Sequence, residues 1–136
     1  MPAKILVVDD EPSVLAVVSR ALREEGHEVI AVSNGQTAYD VALDQTVDVV
    51  VTNNRMPGLN GAELVSALRG RFRRIPILHL DDHSLPTHSQ FQVPADVPTL
   101  FKPFDLVALQ AAVRRLLKPR RPSQPEFATA PWLPAS

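Results

Sequence analysis

Three short runs of branched apolar residues decide what this chain can fold into: KILVV at Lys4–Val8, VDVVVT at Val47–Thr52 and IPILHL at Ile75–Leu80. Each is too short for a core helix and has no polar side alternating with an apolar one. Such runs suit strands covered on both faces, as in a parallel sheet. Between them the pattern changes to helical spacing. Val14, Leu15, Val18, Ala21 and Leu22 recur at three- and four-residue intervals, from Pro12 to a stop near Gly26. Glu28–Val32 reads as a further strand, Asn34-Gly35 as a turn and Thr37–Leu43 as a helix. After the loop NNRMPGLNG, Glu63–Leu68 is helical, with Leu64, Val65 and Leu68 on one side and Gly70 as its stop signal. Leu100–Lys102 is a short fifth strand. Asp105 then caps a last helix whose buried stripe is Leu106, Leu109, Val113, Leu116 and Leu117.

Strands alternating with helices at this spacing predict an α/β fold, a doubly wound five-stranded parallel sheet with right-handed crossovers. The weak element lies between the fourth and fifth strands. Pro86, Pro94 and Pro98 crowd a stretch with few aliphatics and no helical period, so a helix there is expected to be short or distorted. Five more prolines fall between Pro119 and Ser136, which divides the chain into a domain at 1–118 and a proline-rich flexible tail at 119–136. Its Phe127, Trp132 and Leu133 are candidate anchors, although a flexible end is the plainer reading.

Composition narrows the function classes. A length of 136 residues suits one domain, and a DNA-binding effector beside it is not expected. With 14 basic and 15 acidic side chains, no global field favours nucleic acid or an anionic membrane. Arg69, Arg71, Arg73 and Arg74, and a second group around Arg114 and Arg115, read as solvated charge at helix C-termini. No cysteine is present, which excludes disulfides and thiolate metal sites. The first apolar run is too short for a signal peptide or a membrane span, so a cytoplasmic location is expected.

In open parallel sheets, ligands bind outside the carboxyl ends of the strands. Those ends here carry Asp9 and Asp10, then Asn53, then Asp81 and Asp82, then Lys102. Singly, each is better explained as a solvated loop group or a helix cap, Asp10 and Glu11 as caps of the first helix. Together they would meet in one crevice.

The DDEPS start, the RMPGLNG loop and the FKPF segment, in this order and on these strand ends, resemble the receiver domain of bacterial response regulators. The resemblance covers roughly residues 3–118 and implies the flavodoxin-like receiver fold with strand order 2-1-3-4-5. It also implies that Asp9 and Asp10, with Asn53 and the Arg55 carbonyl, hold magnesium, and that Lys102 meets phosphoryl oxygens. A cis Lys102–Pro103 bond is a further implication. Three positions depart from the family pattern. The phosphate-accepting aspartate, four residues before the loop proline, is Asn53. The hydroxyl residue ending strand four is Asp81, and the aromatic switch three residues before the lysine is Thr99.

A carboxylate attacks phosphorus through its charge, whereas an amide oxygen is neutral and its nitrogen lone pair delocalised. Asn53 therefore cannot hold an acyl phosphate, and Asp81 would repel a phosphoryl oxygen that a hydroxyl would bind. Magnesium binding is expected to be weak or absent, and Lys102 to pair with Asp81 or Asp9. These expectations describe a non-enzymatic, phosphorylation-independent receiver, an interaction module for a histidine kinase or a downstream signalling protein, monomeric or weakly dimeric. Two alternatives stand beside it: a receiver phosphorylated at a displaced acceptor such as Asp81, and a metal-dependent phosphohydrolase using Asp9.

Overall fold

The computed structural model describes residues 2–82 and 93–118. The helix expected between the fourth and fifth strands and the tail with Phe127, Trp132 and Leu133 lie outside them. In chain order the elements are β1 (Lys4–Val8), α1 (Pro12–Glu24), β2 (Glu28–Val32), α2 (Gly35–Asp44), β3 (Val49–Asn53), α3 (Gly61–Arg71), β4 (Ile77–Asp82), β5 (Thr99–Lys102) and α4 (Leu106–Leu117). The strands form one all-parallel sheet in the order β2-β1-β3-β4-β5.

The unbroken apolar runs are explained by helices on both sides of the sheet. Ile5, Val7, Val49, Val51, Leu78 and Leu80 face Val18 and Leu22 of α1 and Leu109 and Val113 of α4. Their neighbours Leu6, Val8, Val50 and Ile77 face Ala38 and Ala42 of α2 and Leu64, Val65 and Leu68 of α3. The strand period of two sends alternate residues to opposite cores, so a central strand needs an apolar residue at every position. Each fully buried Leu or Ile contributes roughly 1.5–3 kcal/mol against leaving it exposed. Among the described residues no helix is long and apolar enough to cross a membrane.

Several local expectations are corrected. Gly70 does not stop α3, which runs on to Arg71 and ends at Phe72. An exposed helical glycine weakens a helix by only about 1 kcal/mol, and Phe72 packs on the α2/α3 core just beyond it. Strands β3 and β4 begin two residues later than expected and also end later, so Asn53 and Asp81 belong to the strands themselves. Leu106 is 38% exposed, because it opens α4 beyond the edge of the sheet's cover. Neither Asp10 nor Glu11 caps α1: Glu11 occupies the N-cap without a side-chain cap bond. Asp105 does cap α4, accepting from the Val107 N–H at 2.9 Å.

Candidate functional site

Strand register assembles the site. Val8 pairs with Thr52, Asn53 with Leu80 and Asp82 with Lys102, so four strands finish at nearly one level. Asp10, Glu11, Asn53, Arg55, Asp81 and Lys102 line a cleft of about 250 Å³ at these ends. Of the strand-end residues, Asp10, Asn53, Asp81, Asp82 and Lys102 share this cleft, while Asp9 is buried and does not line it. The Lys102–Pro103 peptide bond is cis.

Asn53 is the hub. Its Oδ1 accepts from Lys102 Nζ at 2.8 Å, while its Nδ2 donates to the Arg55 carbonyl at 2.8 Å and to Asp10 Oδ1 at 3.4 Å. These partners dictate the orientation of the amide. An ammonium can only donate, and a carbonyl or ionised carboxylate can only accept. Turning the amide over would set N–H against NH₃⁺ and oxygen against oxygen.

Asp9 lies beneath this contact, 1% exposed. Its Oδ1 accepts from the Glu11 N–H at 2.9 Å, which makes a local turn at the end of β1. Its Oδ2 is buried without a hydrogen bond, 3.5 Å from Lys102 Nζ. Burial pushes the Asp9 carboxyl above its ordinary 3.8, and the neighbouring Asp10 and Glu11 add to the rise. The Glu11 N–H and Lys102 oppose it without cancelling it. Lys102 thus reaches Asp9, Asn53 and, at 3.9 Å, Glu11.

A raised Asp9 pKa has a definite consequence for stability. Between 3.8 and the higher folded value, Asp9 is more fully protonated in the folded chain than in the unfolded one. The contribution of this group to stability therefore falls as pH rises through that window and stays lower above it. Asp9→Asn should raise stability at neutral pH by on the order of 1 kcal/mol. Well below pH 3.8, where Asp9 is protonated in both states, that advantage should disappear. Thermal melts at the two pH values check this, and a less stable variant at neutral pH would contradict it.

Asp81 is 6% exposed, and its Oδ1 accepts from Asn54 Nδ2 at 3.3 Å and from the Asp82 N–H at 2.7 Å. Thr99 Oγ1 stands 3.3 Å from His79 Nδ1. Sequence reasoning missed three residues here: Glu11 as a partner of Lys102, Asn54 as a buried donor to Asp81, and His79, which is 2% exposed. Burial lowers the His79 pKa from 6.5, and Asp81 works in the other direction. A polar residue two positions before Asp81 on the same strand face was the available signal for His79. Of the arginine groups, Arg69 pairs with Asp96 at 2.9 Å and Arg114 with Glu25 at 2.7 Å.

A hard divalent ion takes oxygen ligands, and Asp9, Asp10 and the Arg55 carbonyl are of that kind. The arrangement nevertheless does not fit one. Asn53 turns an N–H face toward two of those oxygens. Among the described residues, no three His, Cys, Asp or Glu side chains come together closely enough to hold a metal.

Comparison with known proteins agrees with the geometry. A family model for the response regulator receiver domain matches residues 5–114. The transcriptional regulatory protein PrrA of Mycobacterium tuberculosis is 36% identical over 118 residues, covering 86% of this chain and 51% of PrrA. The chain thus spans about half the length of such curated relatives. Among solved structures, the chemotaxis response regulator CheY4 of Vibrio cholerae matches with a TM-score of 0.76 and 32% identity, over 86% of this chain and 100% of that one. The receiver domain of the sensor histidine kinase PA1611 from Pseudomonas aeruginosa, solved with magnesium coordinated in its active-site cleft, matches with a TM-score of 0.76 and 28% identity. That match covers 86% of this chain and 98% of that one. The sheet order, the cleft at the strand ends and these matches lead to one conclusion: the chain belongs to the response regulator receiver domain family.

Proposed function

We propose that this receiver works without phosphorylation, as a cytoplasmic protein-interaction module in two-component signalling, with no catalytic activity of its own. The observation that carries the reading is the neutral Asn53 amide, at the tip of β3, already bonded to Lys102 at 2.8 Å. Position 53 stands four residues before Pro57, the spacing at which receivers carry their acceptor aspartate. In place of a contact made and broken with each phosphoryl group, Lys102 has a lasting partner. The chain then holds one conformational state, and its abundance or its partner sets the signal. The partner is a histidine kinase or a downstream signalling protein, and the chain itself is monomeric or weakly dimeric. Magnesium binding is weak or absent, below that of a receiver with a carboxylate at position 53.

Incubation with acetyl phosphate and magnesium, read by intact mass, tests the reading. The expected result is an unchanged mass. A labile phosphoryl adduct mapped to Asp81 would overturn it and establish the displaced-acceptor alternative. Asp81 does not favour that alternative as it stands, since its Oδ1 already accepts two hydrogen bonds.

A further inference from the structure

We propose that the Asn53 amide nitrogen is a built-in substitute for a divalent cation, and that it excludes the metal actively. A missing anionic ligand would merely weaken metal binding. The structure contains more than that. Nδ2 lies 2.8 Å from the Arg55 carbonyl oxygen and 3.4 Å from Asp10 Oδ1, bringing two oxygens from different loops onto one positively polarised NH₂ group. This is the electrostatic task a cation performs when it gathers carboxylate and carbonyl oxygens. Magnesium would need these oxygens at about 2.0–2.1 Å and would have to take the lone pairs that the N–H groups now occupy.

The amide cannot step aside by flipping. Its oxygen is held by Lys102, and the flipped amide would aim N–H bonds at the ammonium. Asn53 is 6% exposed, so water offers the displaced groups little compensation. One side chain thus takes both parts of the site: its oxygen answers the lysine and its nitrogen answers the oxygens. This inference rests on the reading of position 53 given above. Its test measures metal affinity, not phosphoryl uptake, so either can fail alone.

The two explanations of weak metal binding make opposite predictions for Asn53→Ala. If position 53 only lacks a good ligand, alanine, which has no side-chain oxygen, binds a cation as weakly as the parent or more weakly. If the amide excludes the cation, removing it frees the Arg55 and Asp10 oxygens and affinity rises. Losing two modest hydrogen-bond competitors corresponds to about a five- to tenfold gain.

Mn²⁺ titrated into the whole chain, read by paramagnetic broadening of the Asp10 and Arg55 backbone amides, should therefore give tighter binding for Asn53→Ala than for the parent. Equal or weaker binding in a folded variant overturns the proposal. A second measurement needs no substitution. In the parent chain the Asn53 side-chain NH₂ resonances should exchange slowly with water and keep their positions as Mg²⁺ is added. Rapid exchange, or a shift with Mg²⁺, overturns the proposal as well.

Discussion

The double variant Asn53→Asp with Asp81→Thr should take up one phosphoryl group from acetyl phosphate in the presence of magnesium, where the parent takes up none. The carboxylate formed at position 53 attacks phosphorus, the bond from phosphorus to the acetyl oxygen breaks, and acetate leaves with its electron pair. Lys102 already points at residue 53 and would meet the incoming charge. Asp9 and Asp10 lie beside it. The single variant Asn53→Asp restores the nucleophile but leaves the Asp81 carboxylate in the same cleft. That carboxylate repels a phosphoryl oxygen arriving about 5 Å away, at an effective dielectric near 20, by roughly 3 kcal/mol. The single variant should accordingly react on the order of a hundredfold more slowly than the double one. Intact mass against time separates the three proteins. A folded double variant that stays unmodified would mean that residue 53 is not where a phosphoryl group can be received. The assignment of the acceptor position would then fall.

The fold was legible because it depends on patterns that a sequence displays directly. β1 and β2 match their expected limits, and Leu64, Val65 and Leu68 are buried together as their spacing requires. The sheet order was not readable from periodicity and came from the resemblance alone. The misplaced boundaries share a cause. Ile75 is apolar and buried yet precedes β4, because a residue can enter the core from a loop without making ladder hydrogen bonds. At the site, identity was legible and orientation was not. Asn53, Asp9 and Lys102 could be placed at strand ends, but which amide atom faces the lysine depends on Arg55 and Asp10, whose positions the intervening loop sets. The buried donor Asn54 was hidden for a similar reason. Next to Asn53 it looked like a loop residue, yet it is 1% exposed and bonded to Asp81.

Gly61→Ala should be the most damaging small substitution in the described part of the chain. A Cβ built at Gly61 would overlap the Asn53 carbonyl oxygen and lie 2.7 Å from the Asn54 Cα. Both obstacles are backbone, so no side chain can turn away to make room. The close approach has a function in the fold: the Gly61 N–H donates to the Asn54 carbonyl at 2.7 Å, tying the start of α3 to the end of β3. Asn60 and Glu63 form a capping box around the same turn, at 2.8 and 2.9 Å, which resists any sliding of the helix. Overpacking of this kind costs about 3 kcal/mol, or roughly 10 °C in the thermal midpoint of a domain this size. Gly70→Ala provides the control. Its Cβ would meet nothing within 4 Å, and the position is inside α3, so alanine should stabilise by about 0.5–1 kcal/mol. The two alanines lie on the same helix, and only the one touching β3 reports on the site. In Gly61→Ala the Asn53 carbonyl must move, which disturbs the strand end that presents the amide to Lys102, so the Asn53 NH₂ resonances should shift there and stay put in Gly70→Ala. Equal melting of the two variants would show that the β3–α3 turn yields freely, and that the placement of Asn53 does not depend on it.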